Sequence, residues 1–179
     1  MRRKLLIVGL LSVSMLATQA QDRRKVTKPG NHTENTINWK EIGAPLPEDF
    51  KIYTNDSTYI RYDDVKGKSG NLLLMMFNPT CGHCEEQAIL FKDNFSMFKN
   101  SRLIMLAAPN MLPYLEYFTN TTRMTNFKGI PIGVDSFNYI DRTYLYEMLP
   151  QINIYDRDRK LVKMFYGPTP LDSLKQYID

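Results

Sequence analysis

A continuous apolar run, Leu72 to Phe77, stops at Asn78-Pro79-Thr80, and Cys81-Gly82-His83-Cys84 follows immediately. Such a run reads as a strand buried on both faces. Beyond the cysteines, Ala88, Phe91, Phe95 and Phe98 recur at helical spacing, which predicts a helix over Glu85 to Phe98. A strand, a short loop and two cysteines three apart at a helix start leave little freedom to the rest of the fold. A strand of that kind needs cover on both faces.

The remaining chain supplies matching parts. Phe50–Tyr53 and Tyr59–Tyr62 alternate around Asn55-Asp56-Ser57, which predicts an N-terminal hairpin. Leu103–Ala107 predicts a second buried strand, Met111–Phe118 a helix, Ile130–Val134 a short strand and Tyr139–Met148 a helix. Gln151–Tyr155 and Leu161–Tyr166 flank the turn Asp156-Arg157-Asp158-Arg159 as a second hairpin, and Leu171–Ile178 closes the chain as a helix. Alternating strands and helices that end in a hairpin predict an α/β fold, a mixed β-sheet flanked by helices.

The first residues belong to a different class of segment. Arg2, Arg3 and Lys4 precede the mostly apolar run Leu5–Leu16, and Thr18-Gln19-Ala20 places small residues where a signal peptidase reads. Residues 1–20 therefore read as a secretory signal peptide; a retained membrane anchor would need about 20 apolar residues. Residues 21–38 are polar and read as a flexible leader, and residues 39–179 as the folded domain. The net charge is +4, of which Arg2, Arg3 and Lys4 supply +3, so the remainder carries only +1. That balance gives no support for a nucleic-acid partner.

An exported chain meets an oxidising compartment, yet this one has only two cysteines. A disulfide between Cys81 and Cys84 closes a very small loop and constrains little of the unfolded chain. The pair suits thiol chemistry better than stapling. Disulfide exchange needs a thiolate to attack and a second thiol to resolve the mixed disulfide. Cys81, at the helix start where backbone N–H groups favour an anion, is the expected nucleophile, and Cys84, one turn on, the expected resolving thiol. His83 between them is expected to tune the potential by favouring the thiolate.

Other chemistries have weaker support. Zinc takes four protein ligands, and the chain has no second cysteine pair, so no metal site is expected. Reduced thiols, His83 and some of the ten methionines would suit Cu(I) handling, but Met75, Met76 and Met105 fall in buried-strand patterns. A peroxidase would use Cys81 alone, without a resolving thiol three residues on.

These residues resemble the thioredoxin superfamily, and within it the exported bacterial group of the TlpA/ResA type. The resemblance runs from Gly43-Ala44-Pro45-Leu46-Pro47, through Leu72 to Cys84, to Leu149-Pro150-Gln151 and the hairpin beyond. It implies a thioredoxin fold with an N-terminal β-hairpin extension and no cofactor. It implies exchange with cysteine-containing exported proteins, in a bacterial periplasm, with reductase work fed by a membrane electron donor. It also implies that Pro150 is a cis-proline facing the cysteines, with Leu149 and Thr80 edging the groove where a substrate chain lies. The Gly82-His83 pair instead resembles protein disulfide isomerase, which points to oxidase or isomerase work. Relatives carry an acid six residues before or six after the first cysteine; here those positions are Met75 and Gln87. Glu85, Glu86 or water would then have to handle the proton of the buried thiol.

Overall fold

The computed structural model describes residues 37–145 and 147–178. The expected signal peptide and the leader up to residue 36 lie outside the described residues.

Seven strands form one mixed sheet in the order β2-β1-β5-β4-β3-β6-β7. They are β1 (Lys51–Thr54), β2 (Tyr59–Arg61), β3 (Leu72–Met76), β4 (Arg102–Ala107), β5 (Ile132–Asp135), β6 (Gln151–Tyr155) and β7 (Leu161–Tyr166). β3 is central, parallel to β4 and antiparallel to β6. β4 is parallel to β5, and the two hairpins add antiparallel edges. The helices are α1 (Tyr62–Val65), α2 (Gly82–Asp93), α3 (Leu115–Thr121), α4 (Tyr139–Thr143) and α5 (Leu171–Leu174).

The pleat of β3 sorts its apolar run into two cores, because successive side chains point to opposite faces. Leu73, Met75 and Phe77 meet Cys84, Ala88 and Phe91 of α2, with Phe118 of α3 and Leu174 of α5. Leu72, Leu74 and Met76 meet Phe50, Val65, Tyr139 and Tyr155 on the other side. The lead-in segment runs beside the second hairpin: Gly43 N donates to Leu161 O at 2.7 Å and Leu46 N to Arg159 O at 2.7 Å.

Several elements differ from their sequence expectation, each for a local reason. α2 starts at Gly82 rather than Glu85, so the cysteine motif is itself the first helical turn. The helix then breaks at Asn94, whose Nδ2 donates to Leu90 O at 2.9 Å, and Phe95–Phe98 continues as a 3₁₀ turn. Pro109–Tyr114 is also 3₁₀, so α3 begins only at Leu115. The helix expected over Tyr139–Met148 ends at Thr143, with Tyr144 already extended. There the Gln151 side chain replaces helical bonds: its Oε1 accepts from Leu145 N at 3.0 Å, and its Nε2 donates to Thr143 O at 3.0 Å. The closing helix is a single α turn followed by 3₁₀ at Lys175–Tyr177. β6 alternates in sequence like a half-exposed strand, yet all five of its residues are buried.

Candidate active site

β3 delivers the chain to the C-terminal end of the sheet, where Asn78-Pro79-Thr80 turns it into α2. The turn is held locally. Asn78 Oδ1 accepts from Thr80 N at 3.0 Å and from Thr80 Oγ1 at 3.0 Å, and Cys81 N donates to Asn78 O at 3.1 Å. Cys81 is the N-cap residue of α2, with extended backbone (φ −98°, ψ 117°). Its carbonyl accepts from Cys84 N and Glu85 N, both at 3.0 Å, which closes the first turn.

The two thiols stand in different surroundings. Both are free; Cys81 is half-buried and Cys84 is fully buried among Met75, Phe77 and Ala88. Burial pushes the Cys84 thiol well above its ordinary range, because a thiolate there would lose its solvation. A backbone hydrogen bond at Asn78 pulls the other way, while the Cys81 side chain adds to the rise. Cys84 therefore keeps its proton at neutral pH.

Gly82 and His83 are both exposed on the first turn. A Cβ on Gly82 would meet nothing within 4 Å. His83 Nδ1 lies 3.4 Å from Glu86 Oε2, so the imidazole is turned along the helix towards that carboxylate. Glu85 is among the charges acting on Cys84, and its effect raises the thiol's pKa further. Among the described residues, no group of three or more His, Cys, Asp or Glu side chains could hold a metal ion.

The register of the sheet brings Pro150 to the same end. Gln151 pairs with Met76, so the preceding Leu149-Pro150 lies level with the loop that carries the cysteines. The Leu149–Pro150 peptide bond is cis, Pro150 is buried and Leu149 is half-buried. Pro150 O accepts from Gly167 N at 2.8 Å.

Beside this loop lies an apolar recess of about 230 Å³. Phe77, Ala108, Met111, Ile140 and Leu149 line it, with Asn78 on its cysteine side. Sequence reasoning placed Leu149 at the site but missed Met111 and Ile140, because the helices carrying them are shorter and differently bounded than their periodicity suggests.

It also missed a buried polar chain on the sheet face away from α2. Gln151 Nε2 donates to Asn153 Oδ1 at 2.8 Å, Asn153 Nδ2 donates to Tyr139 Oη at 3.0 Å, and the Tyr139 and Tyr155 hydroxyls lie 2.9 Å apart. Polar residues alternating with Ile152 and Ile154 were the only sequence signal, and that pattern normally marks solvent.

Neither a protein-family model nor a curated protein matches the chain. Solved structures do. A Bacteroides thetaiotaomicron protein, provisionally assigned as a protein disulfide isomerase, is 24% identical with a TM-score of 0.63, covering 76% of this chain and 87% of its own. The thioredoxin domain of a Bacteroides vulgatus thiol-disulfide oxidoreductase is 13% identical with a TM-score of 0.62, covering 78% and 99%. A secreted Mycobacterium tuberculosis disulfide oxidoreductase is 15% identical with a TM-score of 0.57, covering 72% and 93%. At these identities the likeness establishes the fold: the described residues adopt the thioredoxin fold.

Proposed function

We propose that this chain is an exported thiol–disulfide oxidoreductase that exchanges disulfides with cysteine-containing proteins through Cys81 and Cys84. One observation carries the reading. The thiol at the helix start is reachable, and its partner is sealed one turn behind it with its proton held. That asymmetry orders the reaction. The Cys81 thiolate attacks a substrate disulfide, forming a mixed disulfide and releasing one substrate thiolate. Cys84 then attacks Cys81 Sγ, the Cys81–substrate bond breaks, and the Cys84 proton passes to the departing substrate sulfur. The products are the Cys81–Cys84 disulfide and two reduced substrate sulfurs. Burial of Cys84 keeps its proton in place until attack on Cys81 Sγ begins to free the substrate sulfur that takes it.

A substrate chain would lie along Thr80, Leu149 and Pro150, and the apolar recess would take an apolar side chain near its cysteine. The reductase direction is favoured by the resemblance to TlpA/ResA-type proteins, and it requires an electron donor at the membrane. Oxidase or isomerase work is favoured by the Gly82-His83 pair and by the likeness to the Bacteroides thetaiotaomicron protein. The periplasm is the compartment that residues 1–20 imply.

Titration of the pair in glutathione buffers decides between the directions. A midpoint well below about −180 mV supports the reductase, and one at or above it supports the oxidase or isomerase. Cys84→Ser should accumulate mixed disulfides with exported proteins; a variant that traps none would remove protein substrates from the reading.

A further inference from the structure

Gln87 lies on α2 one turn beyond Cys84, and it is only 3% exposed. Both ends of its amide are engaged by one residue of a distant loop. Its Nε2 donates to Thr169 O at 3.0 Å, and its Oε1 accepts from Thr169 N at 2.6 Å. Thr169 sits between Pro168 and Pro170, so it holds the single backbone N–H of that tripeptide. Thr169 Oγ1 donates to Gly167 O at 3.0 Å, and Gly167 N donates to Pro150 O at 2.8 Å. A continuous run of hydrogen bonds thus leads from the cysteine helix to the proline loop.

We infer that Gln87 is a positioning residue that sets Pro150 and Leu149 at their working distance from Cys81, acting through Thr169 and Gly167. This rests on the oxidoreductase reading above. It also explains the residue type. A carboxylate at position 87 could accept from Thr169 N but could not donate to Thr169 O, whereas an amide does both at any pH. The proton-handling acid of relatives is absent here because the position does a different job.

The test compares two disulfides with one leaving group. One is bis(2-hydroxyethyl) disulfide, too small to reach the groove. The other is a peptide of about eight residues whose cysteine carries the same 2-mercaptoethanol mixed disulfide, long enough to span Leu149 and Pro150. Gln87→Leu should lower the peptide rate about tenfold and leave the small-disulfide rate within about twofold. Gln87→Glu should show the same selective loss at pH 8 and recover towards wild type as the pH falls, because protonation restores the donor to Thr169 O. Each rate is taken relative to wild type at the same pH. This cancels the contributions of the titratable groups that both proteins share, Cys81 at the N-cap, His83, Cys84, Glu85 and Glu86 of α2, and Asp172 and Lys175 beyond Thr169. If Gln87→Leu fails to fold, Gln87→Glu decides alone.

A folded Gln87→Leu with the wild-type peptide rate would overturn the inference, as would equal loss on both disulfides or a flat pH ratio for Gln87→Glu. Wild type inert towards both disulfides would instead remove the oxidoreductase reading, and the positioning role with it.

Discussion

Arg159 Nη1 donates to the carbonyl oxygen of Gly70 at 3.0 Å, across 89 residues of sequence. The arginine is 2% exposed and sits in the left-handed region (φ 58°) at the turn between β6 and β7. Its guanidinium also donates to Val65 O at 2.9 Å, Asp156 O at 2.6 Å and Lys68 O at 3.1 Å. One side chain thus satisfies carbonyls of two loops at the end of the sheet far from the cysteines. Arg159→Met should cost about 3 kcal/mol in urea denaturation, because it strands several buried acceptors together. Exchange between Cys81 and a small disulfide should stay at the wild-type rate.

Gly70 offers a sharper contrast. It has φ +78°, and a Cβ there would lie 1.7 Å from Asn100 O. Gly67 has φ +64° but open space around its Cβ position. Gly67→Ala should cost only about 1 kcal/mol, the left-handed penalty alone. Gly70→Ala should cost more than about 3 kcal/mol or prevent folding, because backbone has to move. Comparable melting temperatures for the two variants would contradict this packing.

The raised pKa of Cys84 has a signed consequence for stability. Below about 9, the folded and unfolded chains both hold this proton, and its contribution is constant. Above that value the unfolded chain releases the proton while the folded chain keeps it, so stability falls as pH rises, by about 1 kcal/mol per pH unit. The oxidised protein has no such thiol. Urea midpoints at pH 7.5 and pH 10 should therefore diverge between the reduced and oxidised forms, with the reduced form losing more. Parallel behaviour would refute it.

Filling the recess should change substrate choice. Ala108→Phe places a ring in the space bounded by Phe77, Met111, Ile140 and Leu149. Wild type should prefer a leucine-flanked peptide disulfide to a serine-flanked one by about tenfold, and the variant should retain about twofold preference or less. Equal rates for both peptides in wild type would show that the recess takes no side chain.

Glu86 lies on the exposed first turn, with Oε2 3.4 Å from His83 Nδ1. Glu86→Gln removes a negative charge near the cysteine pair, which favours a thiolate there. The midpoint potential should move in the oxidising direction by roughly 10 mV, the scale of an exposed pair. Titration in glutathione buffers reads the shift, and a move in the reducing direction would contradict it.

Much of this arrangement was legible in advance. The apolar run Leu72–Phe77, the cysteine spacing and the hairpin at Gln151–Tyr166 each have a short-range pattern that tertiary context reinforced. β6 and β7 match their expected limits because a strand pair is bounded by its own turn. Helix limits fared worse. α4 stops at Thr143 because Gln151, eight residues past its last turn, takes the groups that the helix would have bonded.

By itself, the sequence determined that Cys81 and Cys84 stand at a strand-to-helix turn, since local periodicity and a two-residue spacing are enough to place them. It also placed Pro150 directly before the strand Gln151–Tyr155. Tertiary structure alone decided what surrounds them. The register of β6 against β3 brought Pro150 level with the cysteine loop. Burial beneath α2 separated the chemistry of two otherwise identical thiols. Long-range hydrogen bonds gave Gln87 and Arg159 partners up to 94 residues away. A buried polar side chain is defined by the atoms it meets, and those atoms are neighbours only once the chain has folded.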